Sequence, residues 1–86
     1  MKSILLALLI ALIFVGEYSI GDMMVDPPLR YDGMGKANSP IVLYDPVTDS
    51  YLYIPLNSRN KFIFEFQGIV YEIVPSLNMN IQVYRR

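Results

Sequence analysis

Cysteine, histidine and tryptophan are all missing from this 86-residue chain. Without cysteine there is no disulfide to support a small domain. Without cysteine and histidine together, the usual zinc ligand sets and the common nucleophile–base pairs are closed. Charge of one sign is also scarce, because seven basic and eight acidic residues leave a net charge of −1. No charged block is long enough to mark a nucleic-acid surface, so no nucleic-acid partner is expected. No cofactor is expected either. Asn38-Ser39 is followed by Pro40, and no other asparagine has the glycosylation pattern. A lipid-attachment cysteine is ruled out with the rest.

What is present begins with one long apolar run. Met1-Lys2-Ser3 is a short basic start, and the residues from Ile4 to Val15 are all apolar: Ile4, Leu5, Leu6, Leu8, Leu9, Ile10, Leu12, Ile13, Phe14 and Val15, with alanines at 7 and 11. Gly16, Glu17, Tyr18 and Ser19-Ile20-Gly21 follow. This is the layout of a secretory signal, with small residues placed for cleavage between Gly21 and Asp22. The alternative is a retained signal-anchor. Twelve helical residues span about 18 Å against about 30 Å of hydrocarbon, so an anchor must extend to Ile20. Both readings expect an N-terminal hydrophobic helix over 1–21, and both put the remainder of the chain outside the cytoplasm by the positive-inside rule. The membrane is a partner through 4–20 only if the leader is retained.

From 22 to 40 the punctuation is dense: DPP at 26–28, DGMGK at 32–36, NSP at 38–40. It predicts an extended arm or linker. GMGK lacks the spacing of a phosphate loop, and Ala37 stands where Ser or Thr must follow the lysine.

Residues 41–86 read as β structure. IVLY (41–44) and SYLYIPL (50–56) flank DPVTD, which predicts a hairpin with a five-residue loop. Pro55 points to an edge or a strand end. FIFEF and IVYEIV flank Gln67-Gly68. Treating that pair as a two-residue turn sets Phe66 against Ile69, Glu65 against Val70, Phe64 against Tyr71, Ile63 against Glu72 and Phe62 against Ile73. One face then collects Phe62, Phe64, Phe66, Ile69, Tyr71 and Ile73, and a slip by one residue would spoil it. NIQVY (80–84) alternates once more, with Ile81 and Val83 on one side. The expected fold is mainly β: five short strands in a small antiparallel sheet or barrel after the helix.

For chemistry, the carboxylates are the only acid–base candidates. Glu65 and Glu72 fall on one face of the second hairpin, where a solvated sheet surface explains them better than a glycosidase-like pair. Asp45 and Asp49 suit turn bonding more than calcium. Tyr44, Tyr51, Tyr53 and Tyr84 fall where they face away from the core, and tyrosine joins apolar area to a hydroxyl handle. They are the candidate interaction residues, with strand addition at an open edge and wrapping by the 22–40 arm as further docking modes. The function expected is a non-catalytic extracytoplasmic interaction module, in a homo-oligomer or a larger envelope or virion assembly. An anchored subunit of a membrane complex and a secreted effector or inhibitor are the alternatives.

Overall fold

The computed structural model describes residues 12–34 and 40–86. Seven strands follow one another: β1 (Ile13–Tyr18), β2 (Arg30–Met34), β3 (Ile41–Asp45), β4 (Ser50–Ile54), β5 (Phe62–Phe66), β6 (Ile69–Pro75) and β7 (Ile81–Arg85). A single turn of 3-10 helix, Leu77–Met79, precedes β7. The strands form two antiparallel sheets, ordered β1-β7-β6-β5 and β2-β3-β4. After β1, each strand pairs with its chain neighbour except across the break between β4 and β5, where the chain passes from one sheet to the other, and β1 adds to the four-stranded sheet beside β7.

The hairpin 62–73 has the register expected from its alternation, from Phe62–Ile73 to Phe66–Ile69. Gln67 (φ 52°) and Gly68 (φ 81°) both take the positive φ that the type I′ turn requires. Phe62, Tyr71 and Ile73 are buried, with Phe64 and Phe66 packed against them. The β3–β4 hairpin also forms, with Asp45 opposite Ser50, so its loop is Pro46–Asp49 and one residue shorter than expected. Asp45 joins the ladder while its Oδ1 accepts from the Val47 amide at 2.9 Å, the local bond that makes the turn. β4 stops at Ile54, and Leu56 makes an isolated bridge to Phe62.

The N-terminal helix is not supported. Residues 4–11, including Ile4, Leu5, Leu6, Leu8, Leu9 and Ile10, lie outside the described residues. Ile13, Phe14 and Val15, expected on that helix, are in β1, with Leu12 just before it. No helix among the described residues is long and apolar enough to cross a membrane. A short apolar run fits a strand as well as a helix, and the free edge of β7 decides the matter here. β1 pairs with β7 from Ile13–Arg85 to Tyr18–Ile81, with a bulge between Phe14 and Gly16. Because of that extra residue, Val15 and Tyr18 both pack against the core, three positions apart, which removes the alternation a strand would show. Gly21 and Asp22 sit in the turn that follows β1, where the Ser19 amide donates to the Asp22 carboxylate at 2.8 Å.

Nor do residues 22–34 form a free arm. Met24, Pro27 and Leu29 are buried, and Arg30–Met34 is β2, paired with β3. The described residues therefore hold two strands more than the five expected. β2 escapes notice because it holds Gly33, whose φ of 115° sits at a bulge after Tyr31. The 22–29 segment joins the sheets: the Gly21 amide donates to Tyr31 at 2.7 Å, the Tyr31 amide to Asp22 at 3.0 Å, and the Met24 amide to Leu29 at 2.8 Å. Residues 35–39 of the expected arm lie outside the described residues.

One core fills the space between the sheets. Leu29, Tyr31, Ile41, Leu43 and Ile54 meet Phe62, Tyr71, Ile73, Ile81 and Val83. The two buried phenols find partners, as tyrosine hydroxyls taken from water must. Tyr31 donates to the Met79 carbonyl at 2.8 Å, and Tyr71 donates to the Asp26 carboxylate. The other oxygen of Asp26 lies 3.1 Å from Arg85 Nε. Burial first, and the bond to Asp26 second, push the Tyr71 phenol up to about 12.

Two expectations follow. A chain beginning at Asp22 loses the cover of β1 over Ile81 and Val83, which are fully buried in the whole chain. It is expected to be less stable by roughly 3–5 kcal/mol or more, read as a lower urea midpoint. Tyr71 has its folded pKa raised, so its contribution is complete below the ordinary value near 10 and is lost as pH rises through about 12. The loss is on the order of 2–3 kcal/mol. Urea melts at neutral and at strongly alkaline pH are expected to show a smaller alkaline loss in Tyr71→Phe than in the parent.

Candidate functional site: a tyrosine face on the three-stranded sheet

Alternation on β3 and β4 turns Leu43, Leu52 and Ile54 inward and Tyr44, Tyr51 and Tyr53 outward. The register then sets Arg30, Tyr44 and Tyr51 in one row across β2, β3 and β4, with Val42 and Tyr53 in the next. The Tyr44 and Tyr51 rings are 5.0 Å apart between centroids and tilted by 51°, and Tyr51 and Tyr53 are 6.4 Å apart. Tyr51 and Tyr53 remain 51% and 63% exposed, so two adjoining aromatic side chains are open to a partner.

The face has a polar frame. Arg30 lies over the Tyr44 ring, with its guanidinium carbon 4.5 Å from the centroid. Its other edge makes a two-pronged pair with Asp32, Nε to Oδ1 at 2.6 Å and Nη2 to Oδ2 at 3.1 Å. That bond to Asp32 holds the Arg30 pKa above its usual value. Tyr44 donates to Asp49 Oδ1 at 2.6 Å, and that bond is the main reason its phenol is also held above the ordinary range. Thr48 and Ser50 exchange a hydroxyl bond of 2.6 Å beside it. Arg30 is therefore fixed between a ring and a carboxylate, and the exposed rings are Tyr51 and Tyr53.

Tyr84, the fourth candidate, is elsewhere. It projects from the outer face of the four-stranded sheet, half-buried, with the Phe14 ring 5.4 Å away and a 3.2 Å bond to Gln82. That face also corrects the expectation of a solvated Glu65–Glu72 surface. Glu65 is exposed, but Glu72 is only 3% exposed. Its oxygens lie 3.4 Å from Lys61 Nζ and 3.8 Å from an Arg86 nitrogen, so two side chains from beyond the strand ends cover it. Asp45 and Asp49 are both engaged in turn and tyrosine bonds.

Arg30 and Asp32 were not anticipated at the face, because 22–40 does not read as a strand. The available signal is the alternation in Arg30-Tyr31-Asp32, polar on either side of an aromatic, directly before Gly33. No pocket opens among the described residues, and the tyrosines stand on an open sheet face. No family model, curated protein or solved structure matches the chain.

The Tyr44–Asp49 bond stabilises the neutral phenol. Asp49→Asn is expected to lower the Tyr44 pKa toward the ordinary tyrosine value, measured by following its ring resonances through an alkaline titration.

Proposed function

We propose that this domain is a non-catalytic interaction module, acting outside the cytoplasm as one component of a larger assembly, and that it docks a protein partner on the tyrosine face of its three-stranded sheet. The observation that carries the reading is the cluster of Tyr44, Tyr51 and Tyr53 on one face, framed by the Arg30–Asp32 pair. Aromatic side chains with two torsions and a hydroxyl lose little entropy on contact, and a neighbouring arginine adds directional bonds at the rim. The compartment rests on the basic start and the nine apolar residues 4–12 that precede β1, a length within that of a secretory apolar region. Since Ile13–Tyr18 serve as a strand, the exported form that docks in this way retains β1.

A photo-crosslinking residue at Tyr53, in the native host, is expected to capture one protein of defined mass, while the same residue at the exposed Glu65 on the other sheet captures none. Tyr51→Ala with Tyr53→Ala is expected to reduce co-purification of that protein about tenfold or more. Equal capture from both positions would count against the tyrosine face.

A further inference from the structure

The three-stranded sheet ends on β4, and beyond it Ser50–Ile54 has no ladder partner among the described residues. β5 approaches one end of this side, where the isolated Leu56–Phe62 bridge follows β4, and forms no ladder with β4. An open edge is normally guarded by charge, proline, a bulge or a cover. The other outer strands carry such guards: β1 has Glu17 and a bulge, β2 has Arg30, Asp32 and a bulge, and β5 has Glu65 with Lys61 beside it. Within β4 there is none: Ser-Tyr-Leu-Tyr-Ile contains no charge, glycine or proline and pairs with β3 through five positions without a shift, and the flanking Asp49 and Pro55 stand outside the paired residues.

The same five residues are close to a palindrome about Leu52. When two copies of β4 run antiparallel across a two-fold axis at Leu52, Tyr51 of each meets Tyr53 of the other. Leu52 meets Leu52, and Ser50 meets Ile54. Inward residues stay opposite inward ones and outward opposite outward, so the register preserves both faces at once. Such an interface is self-complementary, as a two-fold contact must be. A shift by one residue sets inward residues against outward ones, and a shift by two leaves two of the five positions unpaired.

We propose that β4 is a self-association edge, and that its occupant is β4 of a second copy of this chain. The two three-stranded sheets then become one continuous sheet, with three tyrosines from each copy on its outer face. This goes beyond the docking reading, because it uses the backbone edge and leaves the tyrosine face open to another partner. A five-residue edge with its flanking side chains is a small interface, so the dissociation constant is expected on the order of 10–100 µM.

Sedimentation of the full chain from about 1 µM to about 1 mM is expected to show a monomer–dimer equilibrium. Tyr51→Lys with Tyr53→Lys sets like charges opposite each other twice across the axis, and is expected to weaken the dimer about tenfold or more. Tyr51→Lys with Tyr53→Glu sets opposite charges there instead, and is expected to restore association to within about threefold of the parent. Both positions are exposed and face away from the core, and circular dichroism of each variant checks the fold. A parent that stays monomeric throughout the range overturns the proposal without any variant. So does a dimer that the two lysines leave intact, or a lysine–glutamate variant that is folded yet as weak as the double lysine. Crosslinking at Tyr53 separates this result from the docking reading: a self-adduct has twice the chain mass, whereas a different protein gives another value.

Discussion

Asp26 is the residue on which the closure of this fold depends. One of its oxygens accepts from Tyr71 in β6, and the other lies 3.1 Å from Arg85 in β7. Asp26 itself belongs to neither sheet, being part of the segment between β1 and β2. That segment brings Met24, Pro27 and Leu29 into the core, and its amides carry the hydrogen bonds that attach β2 to the end of β1. With no disulfide and no ladder between β4 and β5, the two sheets are held by this segment and by the core it helps fill. A charged group anchored by a phenol and a guanidinium gives the connection a defined position, where apolar packing alone would allow it to slide.

The parts of the fold legible in sequence are those where period-two alternation and turn chemistry agree. In residues 62–73 the apolar set, the positive-φ turn and the register support one another, so a single pairing satisfies all three. Bulges defeat the same reading in β1 and β2. At Val15 an extra residue turns two neighbouring core contacts into a spacing of three, and at Asp32 it combines with a glycine of positive φ. In β1 the apolar run also resembles a leader, and only the vacant side of β7, a long-range feature, selects the strand. Glu72 was misplaced for a related reason: its cover comes from Lys61 and Arg86, one before β5 and one after β7.

The candidate face was half legible. Alternation assigns Tyr44, Tyr51 and Tyr53 to the outside, and the hairpin makes them neighbours. Alternation cannot say that Tyr84 belongs to the other sheet, nor that Arg30 arrives over Tyr44 from a strand hidden in a loop-like sequence. What distinguishes the face is its mixture of fixed and open groups. Arg30, Asp32, Tyr44 and Asp49 are committed to one another, while Tyr51 and Tyr53 retain about half of their surface. A partner meeting it therefore finds rings already flanked by ordered polar groups, and little side-chain freedom remains to be lost.

The order of the strands has a consequence for how the chain matures during synthesis. From β2 onward, every strand pairs with one made immediately before or after it, so each pairing is local and forms as the chain emerges. β1 is the exception, since its partner β7 is the last of the described strands in chain order. Among the described strands, Ile13–Tyr18 is thus the first to be made and the last to find its partner. While it waits, it remains an apolar stretch adjoining the basic start of the chain, able to be bound by whatever handles such stretches.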